Sequence, residues 1–220
     1  MLKRTAVAAA AAGLTAALLA PTTPASAVFE VCGWTGNVSP LLAEANKQVA
    51  SLNLARMVRK EFGAKATPAS VSPIEVSLLA PDPDTTPATS ARDLIDNTVD
   101  YRIVVRTPGT DDQSASLQLL YRGLCFRTAE LRPMPRVGSL GVEKPALSAQ
   151  RALRLAQEFR MGHADRFPLE NPLVGLDLMR ATSAPPDFGK LRWFVTYQSA
   201  PGVEQVLAVY MNGRVKVVVP

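Results

Sequence analysis

Residues 191–219 read LRWFVTYQSAPGVEQVLAVYMNGRVKVVV, and their alternation decides the fold class. Trp193, Val195 and Tyr197 alternate with Phe194, Thr196 and Gln198, the period of two that gives a strand one buried face. Farther on, Val206 to Met211 and Arg214 to Val219 flank Asn212-Gly213, a pair that accepts the positive φ of a tight hairpin. Upstream, Ser148 caps a predicted helix that ends at Gly162. Its broad apolar face is Ala152, Leu153, Leu155, Ala156 and Phe159, and Arg154 and Glu158 stand at supporting i,i+4 spacing on the other side. Val174, Leu176 and Leu178 predict a strand between helix and hairpin, followed by a loop at Pro185-Pro186.

The chain before this stretch shows the same order of elements. Ser39-Pro40 reads as a cap followed by proline at the first helical position, opening a helical segment from Leu41 to Phe62 that stops at Gly63. Its apolar face is split. Leu42, Ala45, Val49 and Leu52 form one stripe, whereas Leu54, Val58 and Phe62 lie elsewhere, so the helix either is covered on two sides or breaks near Asn53. Ile74, Val76 and Leu78 predict a strand, Ala80 to Ala91 a surface loop, and Tyr101, Ile103 and Val105 a second strand. A longer strand is expected from Ser114 to Arg127. Cys125 shares the face of Leu117, Leu119 and Tyr121 if the alternation continues past Gly123, and a bulge there would change that parity. The expected fold class is α+β: two helix-plus-antiparallel-sheet modules, an order that a diverged tandem repeat would produce. Residues 28–132 form the first module, 133–146 a linker marked by Arg132-Pro133-Met134-Pro135-Arg136, and 147–220 the second.

The second module resembles a PepSY-like domain, the small helix-plus-sheet module of exported bacterial proteins and protease propeptides. The residues that carry the resemblance are Leu147 to Ala152 opening the helix, Trp193 to Tyr197 as a strand, and Leu207 to Val217 as the closing hairpin. Met211-Asn212-Gly213-Arg214-Val215 occupies the hairpin turn without the aspartate usual in that family. A cystatin-like helix over a curved sheet would leave the same signature. The resemblance covers about a third of the chain and implies a binding or inhibitory role, although a fold alone does not define function.

Met1-Leu2-Lys3-Arg4, an apolar run from Ala6 to Ala20 and Ala25-Ser26-Ala27 form the three parts of a secretory signal over residues 1–27, with a run too short to span a bilayer. The residues before Cys32 lack the small side chains of a lipoprotein processing site. A secreted, extracytoplasmic chain with no transmembrane anchor in its mature form is therefore expected. The full sequence has 24 Lys and Arg against 19 Asp and Glu, and losing Lys3 and Arg4 leaves a net charge of +3. That is weak support for a polyanionic partner. Cys32 and Cys125 are the two cysteines, and an oxidising compartment predicts a bridge between them, stabilising by roughly 3–5 kcal/mol through loop closure.

Catalytic chemistry has no motif here. His163 lacks a nucleophile elbow, and one histidine with two bridged cysteines provides too few zinc ligands. Asp82-Pro83-Asp84 and Asp111-Asp112 lack the spaced oxygens of a calcium loop, and no phosphate-binding or dinucleotide glycine motif occurs. No cofactor is expected, and nucleic acid is an unsuitable partner for an exported chain. The basic side chains Arg122, Arg127, Arg151, Arg154 and Arg160 are interspersed with acids, as on solvated faces. Arg132, Met134 and Arg136 are the candidate partner-contact loop, restrained by the nearby bridge. The functional expectation is an exported, non-enzymatic binding protein, in the manner of a protease inhibitor or propeptide, whose partner is a protease or a cell-wall component. Its alternatives are a cell-envelope hydrolase assembled from scattered carboxylates and a structural protein that contacts a cell-wall polyanion.

Overall fold

The helical segment breaks where its two apolar stripes change sides. A computed structural model describes residues 32–81, 87–134, 141–142, 144–181 and 187–218, so the signal sequence, Asp82-Pro83-Asp84, Arg136 and Pro185-Pro186 lie outside the described residues. Helix α1 spans Val38–Ser51 and α2 spans Leu54–Phe62. Leu52 leaves helical geometry, and the Asn53 side chain accepts a hydrogen bond from the Arg56 amide at 3.0 Å, capping the second helix. Each stripe thus belongs to its own helix: Leu41, Leu42 and Ala45 are buried from α1, and Val58 from α2. The cap of α1 is Asn37, whose Oδ1 accepts from the Ser39 amide at 3.0 Å, two residues earlier than expected. Pro40 falls in the first turn, where an amide has no intrahelical acceptor to lose.

Eight strands follow in chain order: β1 Thr67–Leu79, β2 Asp96–Arg106, β3 Gln113–Arg122, β4 Cys125–Met134, then helix α3 Ala149–Met161, β5 Leu173–Arg180, β6 Leu191–Ala200, β7 Val203–Tyr210 and β8 Val215–Val218. They form one antiparallel sheet in the order β4-β3-β2-β1-β5-β6-β7-β8. This corrects the expected α+β pair of modules. Among the described residues the protein is predominantly β, with three short helices beside a single sheet.

The seam is the pairing of β1 with β5, from Glu75 opposite Met179 to Leu79 opposite Gly175. It was hidden because prolines interrupt β1, which runs thirteen residues rather than the few around Ile74. Register shifts absorb the irregularity at Pro68/Ser70 and Pro73/Glu75. Both prolines lie in the part of β1 that β5 does not reach, where a missing amide costs no ladder bond on that side. The Pro73 carbonyl instead accepts from the Val142 amide at 2.8 Å. At the seam, a Cβ on Gly175 would stand 2.9 Å from Leu79 Cδ2 and 3.0 Å from the Leu78 carbonyl oxygen, so two backbones approach there more closely than a side chain permits.

One apolar row crosses every strand: Ala129, Leu119, Val99, Val76, Leu178, Trp193, Val209 and Val215 are successive register partners. The inner six belong to one buried hydrophobic cluster that also takes in Leu41, Val58 and Leu153 from the three helices, and Ala129 and Val215 pack against it half-buried. Each fully buried large side chain in it contributes about 1.5–3 kcal/mol by leaving water. Two polar contacts tie helices to this face. The Tyr101 hydroxyl donates to Asn46 Oδ1 on α1 at 2.8 Å, and Trp193 Nε1 donates to the Leu147 carbonyl just before α3 at 2.8 Å. Ser148 caps α3 as expected, accepting from the Arg151 amide at 3.3 Å.

Two hairpins differ in detail from expectation. The long strand across Gly123 is two strands: Gly123 adopts φ +62° and, with Leu124, turns β3 into β4. The final hairpin turns over Met211 to Arg214, with the Tyr210 amide donating to the Arg214 carbonyl at 2.9 Å and Gly213 at φ +86°.

Candidate functional site

Strand alternation sends every second side chain of the sheet to the face opposite the core. Along the middle strands that face is half-buried and polar: Thr98, Asp100 and Arg102 on β2, Ser116 and Gln118 on β3, Glu75 and Ser77 on β1, Asp177 on β5. Register places Asp100 directly opposite Glu75, and Asp177 opposite Ser77 on the other side of β1. Three carboxylates therefore meet near the centre of the sheet. The row through Glu75 continues over Met179 and Arg192 to Tyr210. With strands about 4.8 Å apart, Arg192 is roughly 10 Å from Glu75 across the sheet.

Desolvation and mutual repulsion govern these groups. Burial, then the charges of Asp177 and Asp100, push the Glu75 carboxyl up to about 7 from an ordinary 4.5. Burial also raises Asp100, opposed by the Gln118 amide at 3.4 Å and by the nearby Arg132 guanidinium. Asp177 is raised by burial and only partly relieved by a hydrogen bond from Ser77. Neutralising this trio would be favourable. A cation brought to it would gain more than one brought to three solvated acids. Among the described residues no group of three or more His, Cys, Asp or Glu side chains is arranged to hold a metal ion.

The residues singled out in the sequence fall elsewhere. Cys32 and Cys125 form the expected disulfide, with Cα atoms 5.4 Å apart, pinning the start of the described chain to the first residue of β4. Arg132 and Met134 lie on β4, an outer strand of the sheet, rather than in a loop, so β4 extends two residues into the expected linker. Arg132 is exposed and bridges Glu130 at 2.7 Å. Ser116 is its register partner and Arg102 lies beyond, so Arg132 sits at the rim of the acidic centre. His163 is a helix-end residue: its Nδ1 is 2.8 Å from the Phe159 carbonyl oxygen and its ring stacks on Phe159 at 4.2 Å. Arg160 is buried over the Tyr197 ring at 3.8 Å and donates to the Pro168 and Asn171 carbonyls.

Glu75, Asp100 and Asp177 were missed because each is an ordinary polar position within a strand, on three strands far apart in sequence. Only the pairing of β1 with both β2 and β5 brings them together. Compared with protein-family models, curated proteins and solved structures, the chain matches none. Among the described residues no helix is long and apolar enough to cross a membrane.

Proposed function

We propose that this chain is an exported, non-enzymatic binding protein that holds a protein partner on the polar face of its sheet, a basic side chain of that partner resting over Glu75, Asp100 and Asp177. The observation that carries this reading is the desolvated carboxylate trio at the sheet centre. Such a cluster costs stability in the free protein, and an incoming ammonium or guanidinium removes that cost. Export is supported by the Cys32–Cys125 bridge and by the signal pattern of residues 1–27. In the protease-inhibitor version, the outer strand β4 with Arg132 and Met134 borders the contact and meets the enzyme.

A lysine-rich peptide tests the electrostatic core of the reading. The purified chain binds it at pH 8, about tenfold more weakly at pH 6 as Glu75 takes up a proton, and not measurably as the triple variant Glu75→Gln/Asp100→Asn/Asp177→Asn. Equal affinity in the wild type and the triple variant rejects the proposal. A panel of secreted proteases tests the inhibitor version, which fails if none is slowed.

One observation favours a second reading as an acid–base hydrolase: Glu75 titrates near neutrality, where a proton donor works best. Hydrolysis of cell-envelope glycans or peptides that disappears on Glu75→Gln alone, with the fold intact, would establish it in place of the binding role.

A further inference from the structure

Beyond β5, a cavity of about 390 Å³ opens between residues 187–191 and the turn from β7 to β8. Lys190 and Arg214 line it, Leu191 and Met211 provide apolar wall, and Asp187 is the one carboxylate among the described lining residues. That carboxylate is already engaged. It accepts from the Tyr210 hydroxyl at 2.7 Å and from Lys216 Nζ at 2.9 Å, and it bridges Lys190 Nζ at 3.3 Å. These contacts hold it well below the ordinary carboxylate range. Two lysines thus share one negative charge.

Two arginines add to the excess. Arg192 lies over the Phe194 ring at 4.5 Å and donates to the Tyr210 hydroxyl at 3.2 Å. Arg214 is exposed at the cavity, on a turn fixed by the Asn212 side chain, whose Oδ1 accepts from the Arg214 amide at 3.1 Å. Arg180 is a rigid wall, its guanidinium held by the Gly141 and Gly189 carbonyls at 2.7 Å each. The volume lies in the range of small-molecule sites and is far larger than a lone ion requires. Cations beside an apolar wall select a ligand with an anionic head and a small organic body.

We propose that this cavity binds a small phosphate ester, with the phosphate between Lys190 and Arg214 and the organic part against Leu191 and Met211. A guanidinium fork matches two phosphate oxygens while an ammonium serves as a point charge, and the pair suits a tetrahedral dianion better than either alone. The ester is either a free small molecule, a monoester dianion with three free oxygens, or the phosphodiester unit of an envelope polymer or lipid headgroup, a monoanion with two, and both offer the fork of Arg214 a pair of phosphoryl oxygens.

Titration of the isotope-labelled protein at low salt, followed by amide NMR, tests this. Glycerol 3-phosphate produces saturable shifts confined to residues 187–191 and 210–216, and glycerol produces none. The double variant Lys190→Gln/Arg214→Gln, with shifts elsewhere unchanged to show an intact fold, binds at least about tenfold more weakly. A glycerophosphodiester in a parallel titration separates the sources: binding equal to the monoester assigns a polymer or headgroup, and binding only of the monoester assigns a free ester. Absence of saturable shifts with both esters, inorganic phosphate binding as tightly as the esters, or unchanged binding by the double variant would each overturn the proposal.

Discussion

Replacing Glu75 by glutamine should stabilise the protein at alkaline pH and leave it unchanged in acid. The Glu75 carboxyl titrates near its ordinary 4.5 in the unfolded chain and near about 7 in the folded one. Between those values the native state takes up a proton that the unfolded state has released, so the contribution of this group to stability is greatest below pH 4.5 and declines as the pH rises to 7. At about 1.36 kcal/mol per pH unit, this gap has an upper bound of about 3 kcal/mol. The side chain is only half-buried, so solvent screening reduces the effect to about 1–2 kcal/mol. Glutamine keeps the shape and cannot ionise. Glu75→Gln should therefore exceed the wild type by about 1–2 kcal/mol at pH 8, or about 3–6 °C in Tm, and match it near pH 4. Urea unfolding under non-reducing conditions across this range measures the difference. A pH-independent difference, or a less stable variant at pH 8, would refute the picture of a desolvated, mutually repelling trio.

Other perturbations read out the scaffold. Reducing the Cys32–Cys125 bridge, or replacing both cysteines by serine, should cost about 4–5 kcal/mol, because a sequence separation of 93 makes the closed loop long; an unchanged denaturation midpoint would contradict this. Trp193→Ala should cost about 3–5 kcal/mol in the same assay through the cavity at the centre of the apolar row. Trp193→Phe should lose about 1–2 kcal/mol, leaving the Leu147 carbonyl without its indole donor. Gly175→Ala should cost about 1–3 kcal/mol, since its methyl group meets backbone as well as the Leu79 side chain, and amide exchange should accelerate selectively along the β1–β5 seam.

Local patterns marked most strands and missed how they join. Trp193 alternation, Ser148 capping and the Asn212-Gly213 turn reappear because each rests on neighbours within a few positions. The change of stripe at Asn53 was also visible, and the asparagine cap explains why the helix stops there rather than being covered on two sides. The single sheet was not legible, because nothing local states that β1 pairs with β5. Pro68 and Pro73 disguise the long β1, and the order of helix then strands in each half reads locally as two separate sheets. The carboxylate trio depends on that same pairing. Glu75, Asp100 and Asp177 read singly as solvated strand positions, and only register makes them neighbours. Arg132 stands out in the sequence for the prolines beside it, whereas the sheet places it one register row from the Asp100 row, near enough for its charge to act on that carboxylate.

The β1–β5 seam also sets an order of events in folding. Every other strand pair in the sheet joins consecutive strands, and β3 to β4 needs only Gly123-Leu124 between them. Such local hairpins close early, whereas the seam brings together residues about a hundred positions apart and must wait for the chain to search. Both cysteines precede β5, so the first four strands can close and oxidise as they emerge, before the second four exist. During that interval β1 presents an unpaired edge, from Glu75 to Leu79, to any strand nearby. The charges on the two sides of the seam, Glu75 on β1 and Asp177 on β5, then meet only when the correct partner arrives. The same acids that strain the finished sheet leave one of their number on the waiting edge, where a charge discourages the wrong strand from docking first.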